Sequence, residues 1–275
     1  MPKVVIAGCG FLGEAAAALF SGDGWEVLGL CATTESAARL ADRPFPVEVR
    51  DITRPDVFPS RWRDADALIH CASTRGGGPD AYRRVYLEGL NRLLDGLRPR
   101  RALFVSSTSV YAQTDGSVVT ETSPARPDRE TGRILRLAED VALAAGGLVA
   151  RLAGLYGPGR CVLVNRFLSG ESRLEKGNRW LNLIHRDDAA RALRHLLGSE
   201  VAPGIYNVCD DTPVPQNEVQ KWLADFYHRP LPPPGDPDLS RRRGWTSKRV
   251  SNAKLRATGW RPAFPSFRDA LPCLT

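Results

Sequence analysis

The feature that most constrains this chain is an apolar run that ends in three closely spaced glycines. The stretch VVIAGCGFLGEAAAALF holds a short apolar segment, then Gly8, Gly10 and Gly13, and then an alanine-rich segment. A strand that turns through this spacing into a helix presents backbone N–H groups to a pyrophosphate. Because a predicted strand and a predicted helix flank the glycines, the motif indicates a dinucleotide site, with Phe11 and Leu12 at the start of the helix.

The same alternation continues over the first 150 residues. Short apolar runs, typical of strands buried on both faces, alternate with longer amphipathic segments. The predicted strands are 3–7, 26–31, 46–49, 67–71, 102–106 and 148–152. The predicted helices are 12–20, 36–41, 81–97 and 128–145. This order predicts an α/β fold with a doubly wound parallel Rossmann sheet.

The pattern loosens after residue 152. We predict an NAD(P)-binding Rossmann domain over 1–152, to which the segment 183–208 returns. The remaining segments, 153–182 and 209–275, are predicted to form a small discontinuous C-terminal substrate lobe. Within that lobe the proline-rich, charged stretch RPLPPPGDPDLSRRRG is expected to be an extended connection.

Composition excludes several other classes of protein. The chain is 43% hydrophobic and 25% charged, as ordinary globular domains are. No apolar run approaches the roughly 20 residues that cross a bilayer, so we expect no membrane partner. Six cysteines without a CxxC pair predict reduced thiols, a cytoplasmic location and no metal site. The net charge of +7 comes from a mixed surface with one basic run, Arg241–Arg243, which argues against nucleic-acid binding.

The residues after the second predicted strand bear on the choice between NAD and NADP. NAD enzymes carry an acidic residue there for the ribose hydroxyls. In this chain Thr33 and Thr34 follow the strand, and no acidic residue precedes Glu35. The missing carboxylate favours NADP over NAD, and both threonines could contact the 2′-phosphate of NADP. The threonines equally suit a cap for the next helix.

Eight further blocks follow in order and resemble the extended short-chain dehydrogenases/reductases over nearly the whole chain. They are VRDITRP, ADALIHCAS, VYLEGLNRLL, LFVSSTSVYA, ARLAGLYGPGR, LIHRDDAARAL, GIYNVCDD and NAKLRATGWRP. The resemblance implies that the ends of successive strands line the dinucleotide, and that Asp51 and Ile52 meet the adenine. The implied cofactor residues are Asp51, Ile52, Cys71, Ala72, Ser73, Ser106 and Leu152.

One departure from that family concerns its catalytic dyad. The family normally carries Tyr-x-x-x-Lys on the helix after the SSTSVY block, with both side chains on one face. Aligned on Glu139, this chain has Thr131 in the Tyr position and Leu135 in the Lys position. A Thr hydroxyl is a poor proton donor at neutral pH, and Leu cannot donate. The chain therefore resembles the atypical extended members, which are epimerase/dehydratase-like proteins without the dyad.

Three hydroxyls near the fifth strand are catalytic candidates. Ser107 stands four residues before Tyr111, the spacing of the family's catalytic Ser/Thr, and would hydrogen-bond the reacting oxygen. The alternative for Ser107 is a strand-end hydroxyl that caps local backbone. Tyr111 is a candidate for the missing phenol or else a packing residue, and Ser109 occupies a neighbouring position.

Three other residues have two interpretations each. Arg151 and Arg160 flank the YGPG turn, where they face either an anionic substrate or surface carboxylates. His185 has either a functional role or a hydrogen bond at the start of the next helix.

Together these features predict an NAD(P)-binding, epimerase-like or reductase-like enzyme. Its substrate would be a sugar nucleotide or another small carbonyl compound, and its dyad is degenerate. The alternative is a non-catalytic NAD(P)H-binding sensor or regulatory protein. The resemblance also implies a homodimer built on the helices after the fourth and fifth strands.

Overall fold

The computed structural model describes residues 1–54, 58–74, 76–236 and 246–274. The strands are β1 (Lys3–Ala7), β2 (Glu26–Cys31), β3 (Val47–Val49), β4 (Ala67–His70), β5 (Arg101–Ser107), β6 (Val118–Val119), β7 (Leu148–Leu152), β8 (Gly154–Tyr156), β9 (Leu174–Glu175), β10 (Trp180–Leu181), β11 (Leu183–His185), β12 (Gly204–Val208), β13 (Val214–Pro215), β14 (Pro234–Gly235) and β15 (Arg249–Val250). The α-helices are α1 (Phe11–Gly22), α2 (Thr34–Ala38), α3 (Pro79–Tyr82), α4 (Gly89–Leu97), α5 (Glu130–Ala144), α6 (Val162–Leu168), α7 (Arg186–Leu196), α8 (Gln216–Tyr227), α9 (Ala253–Ala257) and α10 (Phe267–Ala270).

Seven strands form one parallel sheet in the order β12-β7-β5-β4-β1-β2-β3. The predicted Rossmann sheet is thereby confirmed, and each predicted strand begins and ends within one residue of the observed one. The chain winds outward in one direction from β1 to β3 and then in the other direction from β4 to β12. Ligands of such sheets bind outside the carboxyl ends of the strands at this reversal, which here lies between β1 and β4.

Both faces of the sheet are buried. In β1, Val4 and Ile6 belong to one hydrophobic cluster, while Val5 and Ala7 belong to another. Successive strand side chains point to opposite faces, so the two clusters lie on the two sides of the sheet. This explains why the strands appear in the sequence as continuous apolar runs.

A further cluster unites the two segments assigned to the lobe. Tyr156 and Phe167 come from the first segment, and Val219, Leu223 and Phe267 come from the second. The helices α6 and α8, which contribute to this cluster, were not predicted from the sequence. The division into a Rossmann domain and a lobe stays a prediction.

The helix predicted over 81–97 is interrupted. Residues Arg83–Glu88 are π-helical and lie between α3 and α4. His70 at the end of β4 places Nε2 3.0 Å from the Val85 carbonyl oxygen within this stretch. Burial lowers the pKa of His70 to about 4, so the ring is neutral and donates to that carbonyl. Short π-helical insertions of this kind recur at functional sites.

Two predictions concern residues outside the described ranges. The basic run Arg241–Arg243 lies wholly outside them, and the proline-rich stretch lies partly outside. Within the described part of that stretch, β14 pairs with β9. Among the described residues, no helix combines the length and the apolar character needed to cross a membrane.

Candidate functional site

The three glycines of the first turn differ in what surrounds them. Gly8 has φ +94°, and a Cβ there would lie 2.2 Å from the Ala72 nitrogen. A Cβ on Gly13 would lie 2.4 Å from the Gly8 carbonyl oxygen. A Cβ on Gly10 would meet no atom within 4 Å. Gly8 and Gly13 are therefore required by packing, whereas Gly10 leaves an open approach to the backbone.

That open approach leads to the N-terminus of α1. Gly10 is the residue before the helix, and no side chain caps its first N–H groups. Unpaired N–H groups and the positive end of the helix dipole are the features that bind a pyrophosphate. The glycine turn therefore has the geometry of a dinucleotide site.

The carboxyl end of β2 carries a small polar cluster. Thr33 caps α2, since its hydroxyl accepts a hydrogen bond from the Ser36 N–H at 3.3 Å. Arg39 Nη2 donates to the Ser36 hydroxyl at 3.2 Å. Thr33 and Thr34 are both exposed. The capping interpretation of Thr33 is therefore realised, and a guanidinium lies beside it.

At the end of β3, Asp51 organises its own loop. Its carboxylate accepts hydrogen bonds from the Thr53 N–H at 2.9 Å and from the Thr53 hydroxyl at 2.7 Å. Arg54 lies 3.4 Å from its other oxygen. Ile52 is buried beside α4. These contacts hold the predicted adenine-binding segment in place.

The segment after β4 lies against the glycine turn. Cys71 Sγ donates to the Gly8 carbonyl oxygen at 3.3 Å, and Ala72 lies beneath Gly8. Burial raises the pKa of the Cys71 thiol to about 12, so it stays protonated. Ser73 is exposed at the edge. The structure thus brings the predicted residues of β1 and β4 together.

The two serines at the end of β5 have different partners. The buried Ser106 hydroxyl donates to Glu139 of α5. Ser107 is half-buried, and its hydroxyl accepts a hydrogen bond from the Ser109 N–H at 3.1 Å. Ser107 therefore caps the short 3-10 turn that follows, as the alternative interpretation expected. Its own hydrogen stays available, because a hydroxyl that accepts one bond can still donate another.

Tyr111 and Arg151 belong to a buried polar network. Arg151 Nη1 donates to the Tyr111 hydroxyl at 2.8 Å, and that hydroxyl donates to Asn207 at 2.9 Å. Arg151 also binds both carboxylate oxygens of Glu139. The Tyr111 hydroxyl is committed to these partners, and burial raises its pKa.

Both interpretations of Arg151 are corrected by this network. The side chain is 2% exposed and faces neither a substrate nor a surface carboxylate. It lies on β7, a strand covered on both faces, so its charge requires a buried partner. The sequence holds one signal for this partner. Leu135 and Glu139 are four residues apart on α5, so both side chains lie on the same face of the helix, the face that packs against the sheet.

The dyad positions lie on that same face of α5. Leu135, in the Lys position, is 5% exposed and packs in the main core. Thr131, in the Tyr position, is half-buried one turn earlier. This face therefore offers an apolar side chain and a hydroxyl at the two predicted dyad positions, and the loss of the dyad stays a prediction. Leu152, the last residue of β7, is also buried.

The YGPG turn closes onto the glycine turn through an aromatic ring. The guanidinium carbons of Arg160 and Arg186 lie 5.1 and 5.3 Å from the centroid of Phe11. A Cβ on Gly157 would lie 3.0 Å from Arg186 Cβ and 3.2 Å from the tip of that ring, so a larger residue would have to displace these neighbours slightly. Leu12, the next residue of α1, is buried. These cation–π contacts had no signal in the sequence.

His185 has a structural contact at the start of α7. Its Nδ1 accepts a hydrogen bond from the Asp187 N–H at 3.3 Å, and burial lowers its pKa. The ring therefore caps the helix, as one of its two interpretations expected.

None of the six cysteines, all in the described ranges, forms a disulfide. The described residues hold no group of three or more His, Cys, Asp and Glu side chains suited to a metal ion.

Comparisons with known proteins agree with this geometry. The model of the NAD dependent epimerase/dehydratase family matches residues 4–209. Protein YeeZ of Escherichia coli (strain K12) is 36% identical over 223 residues, which cover 76% of this chain and 78% of YeeZ. The 3-diazoavenalumate denitrifying reductase of Streptomyces sp is 30% identical over 269 residues, 85% of this chain and 84% of the reductase. The structure of MoeE5 in complex with UDP-glucose and NAD has a TM-score of 0.83 at 21% identity and covers 98% of this chain and 96% of MoeE5, which shows a shared fold.

Proposed function

Because this chain belongs to the NAD-dependent epimerase/dehydratase family, we propose that it binds NAD(P) and carries out hydride chemistry on a sugar nucleotide or another small carbonyl compound. The observation that carries the proposal is the open backbone at Gly10, in front of the uncapped N-terminus of α1. MoeE5, which shares the fold, holds UDP-glucose and NAD, and the Streptomyces relative is named a reductase. The first supports a sugar-nucleotide substrate, and the second supports reductive chemistry.

The chain's own residues bind and orient in this scheme. The dinucleotide, when bound, supplies the hydride chemistry. The turn from Gly8 to Gly13 binds the pyrophosphate, and the Ser107 hydroxyl donates a hydrogen bond to the substrate oxygen. With Leu135 buried and Tyr111 committed to Asn207, neither residue supplies a proton. Loss of a general acid costs about 10²–10⁴ in rate, so turnover is expected to be slow.

The proposed preference for NADP rests on the cluster at the end of β2. A 2′-phosphate there would meet the Arg39 guanidinium and the Thr33 hydroxyl, and it would displace the exposed Glu35 carboxylate that interacts with both. We expect Arg39→Gln to weaken NADPH binding about tenfold, roughly 1.4 kcal/mol, and to leave NADH binding within about twofold. Calorimetric titration with both cofactors measures this, with Arg43→Gln, which removes an ion pair with Glu14, as the control. Equal weakening for NADPH and NADH would remove the NADP preference.

Ser107 is expected to act on turnover without acting on cofactor binding. Removing one hydrogen-bond donor to a developing oxyanion costs about 100-fold or more in kcat. We therefore expect Ser107→Ala to lower kcat/KM about 100-fold in an assay of NADPH oxidation against a panel of UDP-sugars and small carbonyl compounds. Ser169→Ala, which removes an exposed hydroxyl that donates to the Arg166 carbonyl oxygen at the end of α6, is the matched control. If the two variants lose activity equally, Ser107 has no specific role.

The buried Leu135 favours a second candidate, a dinucleotide sensor without turnover. An apolar side chain in the Lys position cannot hold the ribose or assist a proton transfer. Saturable NADPH binding with no product from any member of the panel would favour the sensor. Product from a single carbonyl compound would remove it. The homodimer and the cytoplasmic location stay predictions.

A further inference from the structure

Lys248 is a buried cation with no acidic partner among the residues that the structure describes. The side chain is 3% exposed, and Nζ donates to the Thr246 hydroxyl at 2.9 Å. No carboxylate of the described residues forms an ion pair with it, and burial lowers its pKa to about 8. An ammonium has three hydrogens to donate, and burying it with one neutral acceptor is costly. The fold therefore maintains Lys248 at the expense of stability.

The backbone of Lys248 is held at the carboxyl edge of the sheet. Its carbonyl oxygen accepts a hydrogen bond from Asn182 Nδ2 at 2.9 Å. The carbonyl oxygen of Asn182 in turn accepts from the N–H of Gly154, two residues beyond β7, at 2.9 Å. On the other side, Ser247 N–H donates to Gln113, in the loop that follows the end of β5, at 3.1 Å. Lys248 is thus fixed beside the ends of β5 and β7.

The alternation of side chains sets the direction of Lys248. Ser247 Oγ accepts a hydrogen bond from the Trp180 N–H at 3.3 Å, so this side chain points toward β10. Lys248 and Val250 lie on the opposite face of the extended segment, because alternate residues share a face. Val250 packs in the main core cluster with Leu152, the last residue of β7. The Lys248 side chain therefore shares the inward face of Val250, on a segment held beside the carboxyl ends of β5 and β7, the end at which such sheets bind ligands.

We propose that Lys248 binds an anionic oxygen, phosphate or carboxylate, of the substrate. This rests on the proposed function, because it places the substrate in the same crevice as the dinucleotide. The substrate is favoured over the cofactor because the glycine turn follows β1, three strands from β7 or about 14 Å at the usual strand spacing. The predicted adenine site on β3 lies farther away still. An anion at Lys248 would supply the counter-charge that none of the described carboxylates provides.

The test compares neutral variants of Lys248 with a matched lysine variant. Lys248→Met and Lys248→Gln remove the buried charge. Lys254→Met removes an exposed ammonium that donates to the Ile205 carbonyl oxygen. The midpoint of thermal unfolding is measured with and without UDP-glucose, UDP-glucuronic acid or inorganic pyrophosphate, at saturating NADP. Calorimetric titration with NAD and NADP is run on each protein.

We expect the probes to raise the midpoint of the wild type and of Lys254→Met, and we expect both Lys248 variants to lose at least the shift by UDP-glucuronic acid. Without probes, Lys248→Met is expected to melt no lower than the wild type, because an unpaired buried charge has been removed. Loss of the shift for all three probes indicates a phosphate oxygen, and loss for UDP-glucuronic acid alone indicates a carboxylate.

Three results would overturn the inference. They are a UDP-glucuronic acid shift that persists in the Lys248 variants, a wild type that no probe stabilises, and a Lys248→Met that melts lower without probes. If the wild type binds a dinucleotide, any of these contradicts the Lys248 inference alone. A wild type that binds neither NAD nor NADP contradicts the proposed function instead.

Discussion

Replacing Gly10 with Glu is expected to abolish dinucleotide binding and to leave the fold intact. A Cβ at Gly10 meets no atom within 4 Å, so the new side chain has room. It would occupy the space through which a pyrophosphate approaches, and its carboxylate would take the place of the anion at the N-terminus of α1. We expect an affinity loss of at least about 100-fold, or roughly 2.7 kcal/mol.

Calorimetric titration of Gly10→Glu with NAD, NADH, NADP and NADPH measures this loss. Gly22→Glu is the matched control, because Gly22 ends the same helix and a Cβ there also meets open space. The unfolding midpoint of both variants should stay near that of the wild type. A Gly10→Glu protein that binds a dinucleotide as tightly as the wild type would place the cofactor elsewhere.

Replacing Arg151 with Met is expected to cause a large loss of stability. Glu139 is fully buried, and Arg151 contacts both of its carboxylate oxygens. Without the guanidinium, the charge of Glu139 keeps the Ser106 hydroxyl and the half-exposed Arg136 as partners. Removing one member of a buried pair costs about 3–5 kcal/mol in the free energy of unfolding. The Tyr111 hydroxyl also loses a donor.

Urea unfolding followed by circular dichroism measures this change. Arg194→Met is the control, since its pair with Asp23 lies at the surface and is expected to contribute less than about 1 kcal/mol. The double variant Glu139→Met/Arg151→Met should recover most of the loss, because both charges leave together. A loss below about 1 kcal/mol for Arg151→Met would show that the network contributes little to stability.

Local sequence patterns were enough to predict the central architecture. The apolar runs that became β1, β2 and β7 are continuous because each strand is buried on both faces. The glycine spacing predicted the roles that the structure gives to Gly8 and Gly13. Each of these features is encoded within a few neighbouring residues, so a single sequence contains it.

Other elements had no comparable local signal. The helices α6 and α8 pack in the second cluster, yet the sequence around them showed no periodicity that we recognised. The helix predicted over 81–97 contains a π-helical stretch, and the Val85 carbonyl within it accepts a hydrogen bond from His70 at the end of β4. Such contacts join segments that are distant in the chain.

The sequence by itself determined the fold class and the position of the glycine turn. The tertiary structure decided what the charged side chains meet. Arg151 is paired with Glu139, twelve residues away, and Lys248 is buried with no carboxylate beside it among the described residues. Hydrophobic periodicity indicates which face of an element is buried, because the free energy gained by burying apolar area depends little on which apolar side chains cover it. The energy of a buried charge depends on the distance and identity of its partner, which only the folded chain sets.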